Sequence, residues 1–289
     1  MSSSSFFSET KHAGTTVKVS FGNDDKASIG LGYWSIRGLG APLRMMLCAA
    51  KVPFDIFLYD IVEDGDGWTS DYFKGKPEYI NEYNAPLWNL PFCVDRDGQR
   101  VICQTNAVFT YLGRKCGMLG DDEGSTSMCE QLLCEIYDLR NVMTNYAYGA
   151  NADVDPVLAS AKRHLGKLEA YLELEAQRLG NGNVVHLVGG KFSAPDFHLY
   201  EMLDQFDALS TFHEKGDLFA DYPRLNAFKE GFAALEENQF YLNSWLHKEL
   251  PFNNCMARFG SLPGPKVYTY GESASLATWR NKGVVELKP

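Results

Sequence analysis

Hydrophobic patterning divides the chain into two regimes. In the first, apolar residues come in short runs. Ile29–Trp34 and Phe54–Tyr59 are aliphatic and aromatic stretches of strand length. Between them, Pro42 suits the first turn of a helix, and Leu43, Met46, Leu47 and Ala50 follow at helical spacing. Residues 61–87 show no period, are rich in Gly, Asp, Asn and aromatics, and read as an irregular connection. Residues 92–94 and 101–103 flank Asp97-Gly98, which predicts a hairpin. A helix is predicted over 105–116, with Gly117 placed to end it. The order is strand, helix, strand, irregular connection, strand, strand, helix.

The second regime is helical. Leu132, Leu133, Ile136 and Leu139 form one apolar stripe, and Leu165, Leu168 and Leu172 form another. Ser193-Ala-Pro-Asp196 reads as a capping box that opens a helix carrying Leu199, Leu203 and Phe206 on one face. These patterns predict an α/β domain over 29–117, a linker at 118–124 and an all-helical domain over 125–260. The polar stretch 1–28 and the Pro-, Gly-, Ser- and Tyr-bearing stretch 261–289 read as an N-terminal extension and a C-terminal tail.

Composition narrows the function classes. With 289 residues, 45% hydrophobic and 22% charged, the chain has ample core for two modest domains. A formal charge of -10 argues against a nucleic-acid partner. Seven cysteines include no CxxC pair, which fits reduced thiols in a reducing compartment rather than a disulfide framework or zinc site. The six histidines are scattered, so no metal is expected. No apolar run is long enough for a membrane span, and the first residues lack the pattern of a secretion signal. A cytoplasmic protein is the expectation.

Three segments carry candidate chemistry. Gly32-Tyr33-Trp34-Ser35-Ile36-Arg37-Gly38-Leu39 closes the first strand, Asn89-Leu90-Pro91 precedes the third, and Gln104-Thr105-Asn106-Ala107 opens a helix. On spacing alone, Tyr33-Trp34 is a core aromatic pair and Thr105 a helix cap. Together the segments resemble the glutathione site of cytosolic glutathione transferases, and of the mu class in particular, over roughly residues 30–260.

The resemblance implies an N-terminal thioredoxin-like domain followed by an all-helical domain. It also implies conjugation of the glutathione thiolate to hydrophobic electrophiles, as in detoxification, with glutathione as cosubstrate and no other cofactor. A free thiol has a pKa of about 8.5, so a hydroxyl that donates to the sulfur anion raises the reactive fraction. The resemblance gives that role to Tyr33. Trp34, Leu39, Asn89, Leu90, Pro91, Gln104, Thr105 and Asp138 would bind glutathione. Leu90 would pair with its backbone beside a cis Pro91, and Gln104 and Thr105 would take the γ-glutamyl carboxylate at a helix start. Asp138 would reach across a homodimer. Ile36, Arg140 and Tyr148 would line the electrophile pocket, which Leu39 borders.

The chain departs from the mu pattern in 61–87. The tryptophan and lysine that hold the glycyl carboxylate have their best matches at Trp68 or Tyr79 and near Tyr83, and Leu87 stands where an aromatic dimer key belongs. Two alternatives follow: a non-catalytic scaffold or ligand carrier, docking a protein partner through its extensions, and a glutathione-dependent lipid peroxide isomerase. A disulfide reductase is disfavoured, because no cysteine pair stands at the end of the first strand.

Overall fold

A computed structural model describes residues 14–22, 26–65, 67–180, 182, 184–261 and 283–289. Its elements are β1 (Thr15–Val19), β2 (Ile29–Trp34), α1 (Gly40–Ala49), β3 (Phe54–Tyr59), β4 (Val62–Asp64), β5 (Gly67–Thr69), α2 (Asp71–Glu82), β6 (Phe92–Asp95), β7 (Arg100–Cys103) and α3 (Thr105–Lys115). Then come α4 (Glu123–Tyr148), α5 (Asp155–Leu179), α6 (Ala194–Phe212), α7 (Pro223–Ala234), α8 (Glu236–Leu242), α9 (Trp245–Lys248) and β8 (Val284–Leu287).

The parallel pair β2 and β3 is joined through α1, as a parallel connection requires. β6 runs antiparallel to β2, with Gly32 opposite Phe92, and β7 returns from β6 in the predicted hairpin. The Asp95 carboxylate accepts the Gly98 N–H at 3.0 Å and closes that turn. Gly32 is required here, since a Cβ would lie 2.1 Å from the Phe92 ring. The main sheet is six-stranded, in the order β7-β6-β2-β3-β1-β8. This is the thioredoxin-like arrangement followed by helices α4 to α9.

One hydrophobic core crosses both halves. It joins one face of the sheet, α1, and the inner faces of α4 to α8. Every residue of α1 is buried, since the sheet covers one side of it and α6 and α8 pack on it from the helical side. α6 is almost as buried. At its start the Asp196 carboxylate accepts the N–H groups of Ser193 (2.7 Å) and Leu187 (2.6 Å), which supplies the arm that the capping box predicts. A second, aromatic cluster lies under α2: Phe57, Tyr59, Tyr72, Tyr79, Trp88 and Phe92.

Three expectations are corrected. The boundary at residue 29 was set by the polar composition of 1–28, yet Thr15-Thr16-Val17-Lys18-Val19 is a β-branched strand. It pairs with β3, and its Val17 and Val19 enter the core. Likewise 261–289 is not wholly a tail, because Val284–Leu287 pairs in parallel with β1. Residues 1–13, 23–25 and 262–282 of those two stretches lie outside the described residues. The stretch 61–87 is not irregular throughout. It holds the β4–β5 hairpin and α2, whose Ser70 cap accepts the Tyr72 N–H at 3.2 Å. Gly75 and Pro77 inside α2 hide the helix from a reading of periodicity, and burial of Tyr72 and Tyr79 holds it instead.

Candidate active site

β2 ends at Tyr33 and Trp34, and the loop that follows doubles back toward α1. The Tyr33 ring lies against that loop because two positions there lack side chains. A Cβ at Gly40 would meet the ring at 2.6 Å, and one at Gly38 would lie 2.9 Å from both the ring and the hydroxyl. Gly38 also has φ of +39°, a conformation that favours glycine. Tyr33, Ile36 and Leu39 form a small cluster with Trp34, Leu90 and Tyr137 packed against it.

Burial raises the Tyr33 pKa, while Arg140, the Leu39 N–H bonded to the hydroxyl and Arg44 oppose the rise. The phenol therefore stays protonated at neutral pH and able to donate. Beside it lies a cavity of about 210 Å³. Tyr33, Trp34, Ile36, Gly38, Arg140 and Tyr148 are among its lining residues. Met143, Thr144, Met202, Gln205, Asn253 and Asn254 are the others. The Tyr148 hydroxyl accepts the Asn254 N–H at 2.8 Å, and burial raises its pKa as well, so it too remains a phenol.

Five of the residues singled out in the sequence thus share one cavity: Tyr33, Trp34, Ile36, Arg140 and Tyr148. Leu39 is not in its lining, and stands behind Tyr33 instead. Asn89, Leu90 and Pro91 stand just before β6, the strand beside β2, and the Leu90–Pro91 bond is cis. Gln104, with φ of +74°, forms the N-cap of α3, so Thr105 is the first residue inside that helix rather than its cap. Residues with unusual backbone angles are common at ligand sites. Asp138 is exposed on α4 and does not line the cavity.

The sequence reading missed two residues near Asn89. Among the described residues the buried Tyr72 hydroxyl has no hydrogen-bond partner, and the charge of Cys103, whose thiol bonds to the Asn89 backbone, acts on it. The Lys76 ammonium lies 5.8 Å from the Tyr72 ring centre, also within reach of Cys103. A buried donor without a partner and a lysine ammonium side by side favour an anion. The spacing Tyr72-x-x-x-Lys76, one helical turn, was the available signal.

The motif loop is held by Arg37, which is fully buried. It meets Glu201 at 2.8 Å and Asp204 at 2.6 Å on α6, and its guanidinium lies 4.6 Å over the Phe252 ring.

Comparison with known proteins decides the family. The C-terminal domain model of glutathione S-transferases matches residues 137–245. Glutathione S-transferase Mu 5 of Mus musculus is 31% identical over 81% of this chain and 96% of its own length. The chain belongs to the glutathione S-transferase family.

Other members agree. Glutathione S-transferase Mu 3 of Homo sapiens is 29% identical over 82% of the chain and 98% of its own length. The structure of the Pi-class glutathione S-transferase of Onchocerca volvulus superposes with a TM-score of 0.63 at 26% identity, covering 80% of this chain and 99% of that one. The transferase fold and a mu-class likeness, expected from the three segments, therefore hold, and the chain is a transferase. Among the described residues no helix is long and apolar enough to cross a membrane, and no cluster of metal-ligating side chains occurs.

Proposed function

We propose that this transferase conjugates glutathione to small electrophiles, with Tyr33 donating a hydrogen bond to the glutathione thiolate. The observation that carries this reading is a phenol kept protonated at the wall of a cavity, with the Leu39 N–H and the Arg140 cation acting on it. The thiolate sulfur attacks the electrophilic carbon, a C–S bond forms, and the leaving group departs with the electron pair of the bond that breaks. A donor of this kind acts electrostatically and favours the anion over the thiol.

In this reading the peptide runs from the Tyr33 cavity along Leu90. Gln104 and Thr105 take the γ-glutamyl carboxylate at the start of α3. Asn89, Tyr72 and Lys76 take the glycyl end. Trp34 walls the cavity between them, and Ile36, Arg140 and Tyr148 face the electrophile. A homodimer completes the site, with Asp138 of one protomer reaching toward the other and exposed Leu87 at the contact. Leu87 is 72% exposed, while Trp88 beside it is buried.

Two substitutions test the division of labour. Tyr33→Phe is expected to lower kcat at pH 6.5 by at least tenfold and raise the pKa of the bound thiol, with little change in KM for glutathione. Lys76→Met is expected to do the converse, raising that KM severalfold at nearly constant kcat. The measurement is glutathione conjugation to chlorodinitrobenzene against a blank without enzyme. Turnover by Tyr33→Phe equal to that of the parent at pH 6.5 rules out the tyrosine role.

A further inference from the structure

The cavity beside Tyr33 has a mixed lining. Ile36, Met143 and Met202 give the cavity apolar lining, and Arg140 and Asn254 give it polar lining. Among the described residues that line the cavity, Arg140 supplies the cation. Arg37 and Arg96 each meet a carboxylate at 2.8 Å or less. Arg140 has no carboxylate partner among the described residues. Its one side-chain hydrogen bond within the described residues is long, 3.4 Å to the neutral amide oxygen of Asn141, and its cation lies 5.8 Å from the Tyr137 ring centre. Its charge acts on both Tyr33 and Tyr148. Asn254 uses its backbone N–H on Tyr148, while its side-chain amide makes no hydrogen bond within the described residues. A half-buried cation without a counter-ion, next to a free amide, is a site for an anion.

We propose that the cavity accepts electrophiles that carry a carboxylate, bound by the Arg140 guanidinium and the Asn254 amide, with the hydrocarbon part against Met143 and Met202. This deepens the reading of the protein as a glutathione-conjugating enzyme and rests on it. In the reaction tested, the glutathione thiolate attacks the chlorine-bearing ring carbon, the C–S bond forms, and chloride leaves with the electron pair of the broken bond.

The probes are 4-chloro-3,5-dinitrobenzoate and its methyl ester, each rate divided by its uncatalysed rate with glutathione. The full-length protein is expected to prefer the acid at least fivefold in normalised kcat/KM. Arg140→Gln and Asn254→Ala are each expected to lower that ratio, the arginine variant to near unity, and Arg140→Lys to retain part of it. A parent ratio at or below one overturns the proposal. So does an equal loss on both acceptors in Arg140→Gln, which marks the arginine as a partner of the thiolate instead. If neither acceptor reacts above the blank, the conjugation reading fails by itself. Calorimetric binding of unreactive 3,5-dinitrobenzoate against its methyl ester then decides the cavity. A preference for the acid that Arg140→Gln removes sustains the anion site, and equal binding overturns it.

Discussion

At the scale of single residues, the site depends on what is missing as much as on what is present. Tyr33 occupies space that two glycines leave open, and Gly40 is the sharper case. It is the first residue of α1, where alanine is the better helix former by up to about 1 kcal/mol. Yet a Cβ there would lie 2.6 Å from the Tyr33 ring and 3.0 Å from its own Cβ, near the root of the side chain rather than its tip. Gly40→Ala is therefore expected to displace the ring and cut kcat/KM for conjugation by tenfold or more, while the protein still folds. A variant with parental kinetics would show that the hydroxyl tolerates the shift. The tyrosine and its glycines were legible because they are contiguous in the chain. Tyr72 and Lys76 were not, since α2 presents them from a segment whose Gly75 and Pro77 break the expected pattern. Arg140 was legible as a cavity residue, but the absence of a counter-ion is a property of three dimensions.

At the scale of elements, a buried ion pair adds to the shared core in tying the two halves. Arg37 leaves the loop after β2 and enters α6, where Glu201 and Asp204 take its guanidinium and Gln205 donates to Glu201 at 2.8 Å. The backbone of the same loop donates to the carbonyls of Pro251 (2.6 Å) and Phe252 (3.1 Å), so the clamp also sets the segment that carries Asn254 to the cavity. Burial raises the Glu201 pKa and the arginine opposes that rise. Removing one partner of such a buried pair typically costs about 3–5 kcal/mol, because the other charge is left uncompensated. Arg37→Met is expected to lose that much in urea denaturation, and the double variant Arg37→Met, Glu201→Met to recover part of it. A loss in the single variant of less than about 1 kcal/mol would mean that water reaches Glu201. Sequence patterning showed α6 as a helix with one apolar face. It could not show that Glu201 is turned inward, since an acidic residue in a helix reads as solvated until its partner is known.

At the scale of the whole molecule, the two ends of the chain meet in the sheet. β1 covers the edge of β3, and β8 covers the edge of β1, in parallel register from Thr16 with Val284 to Val19 with Leu287. Composition hid both strands, because short β-branched runs inside polar stretches acquire meaning only beside a sheet edge. Their contributions differ in kind. Val17 and Val19 are core residues, each worth about 1.5–3 kcal/mol when fully buried. In β8, Val284 is 60% exposed and only Leu287 packs on the core. Removing residues 283–289 is therefore expected to lower Tm by a few degrees and to leave the edge of β1 open, with more aggregation near the transition. Removing residues 1–20 takes away β1 and is expected to cost several times more stability. The candidate site lies around β2, β6 and β7, on the opposite side of the sheet order from β8. Conjugation kinetics of the shorter truncation, measured well below its Tm, should accordingly match the parent within about twofold. A large loss of kcat with Tm unchanged would instead make the C-terminal strand part of the catalytic unit, and the separation of clasp from site argued from the strand order would be wrong.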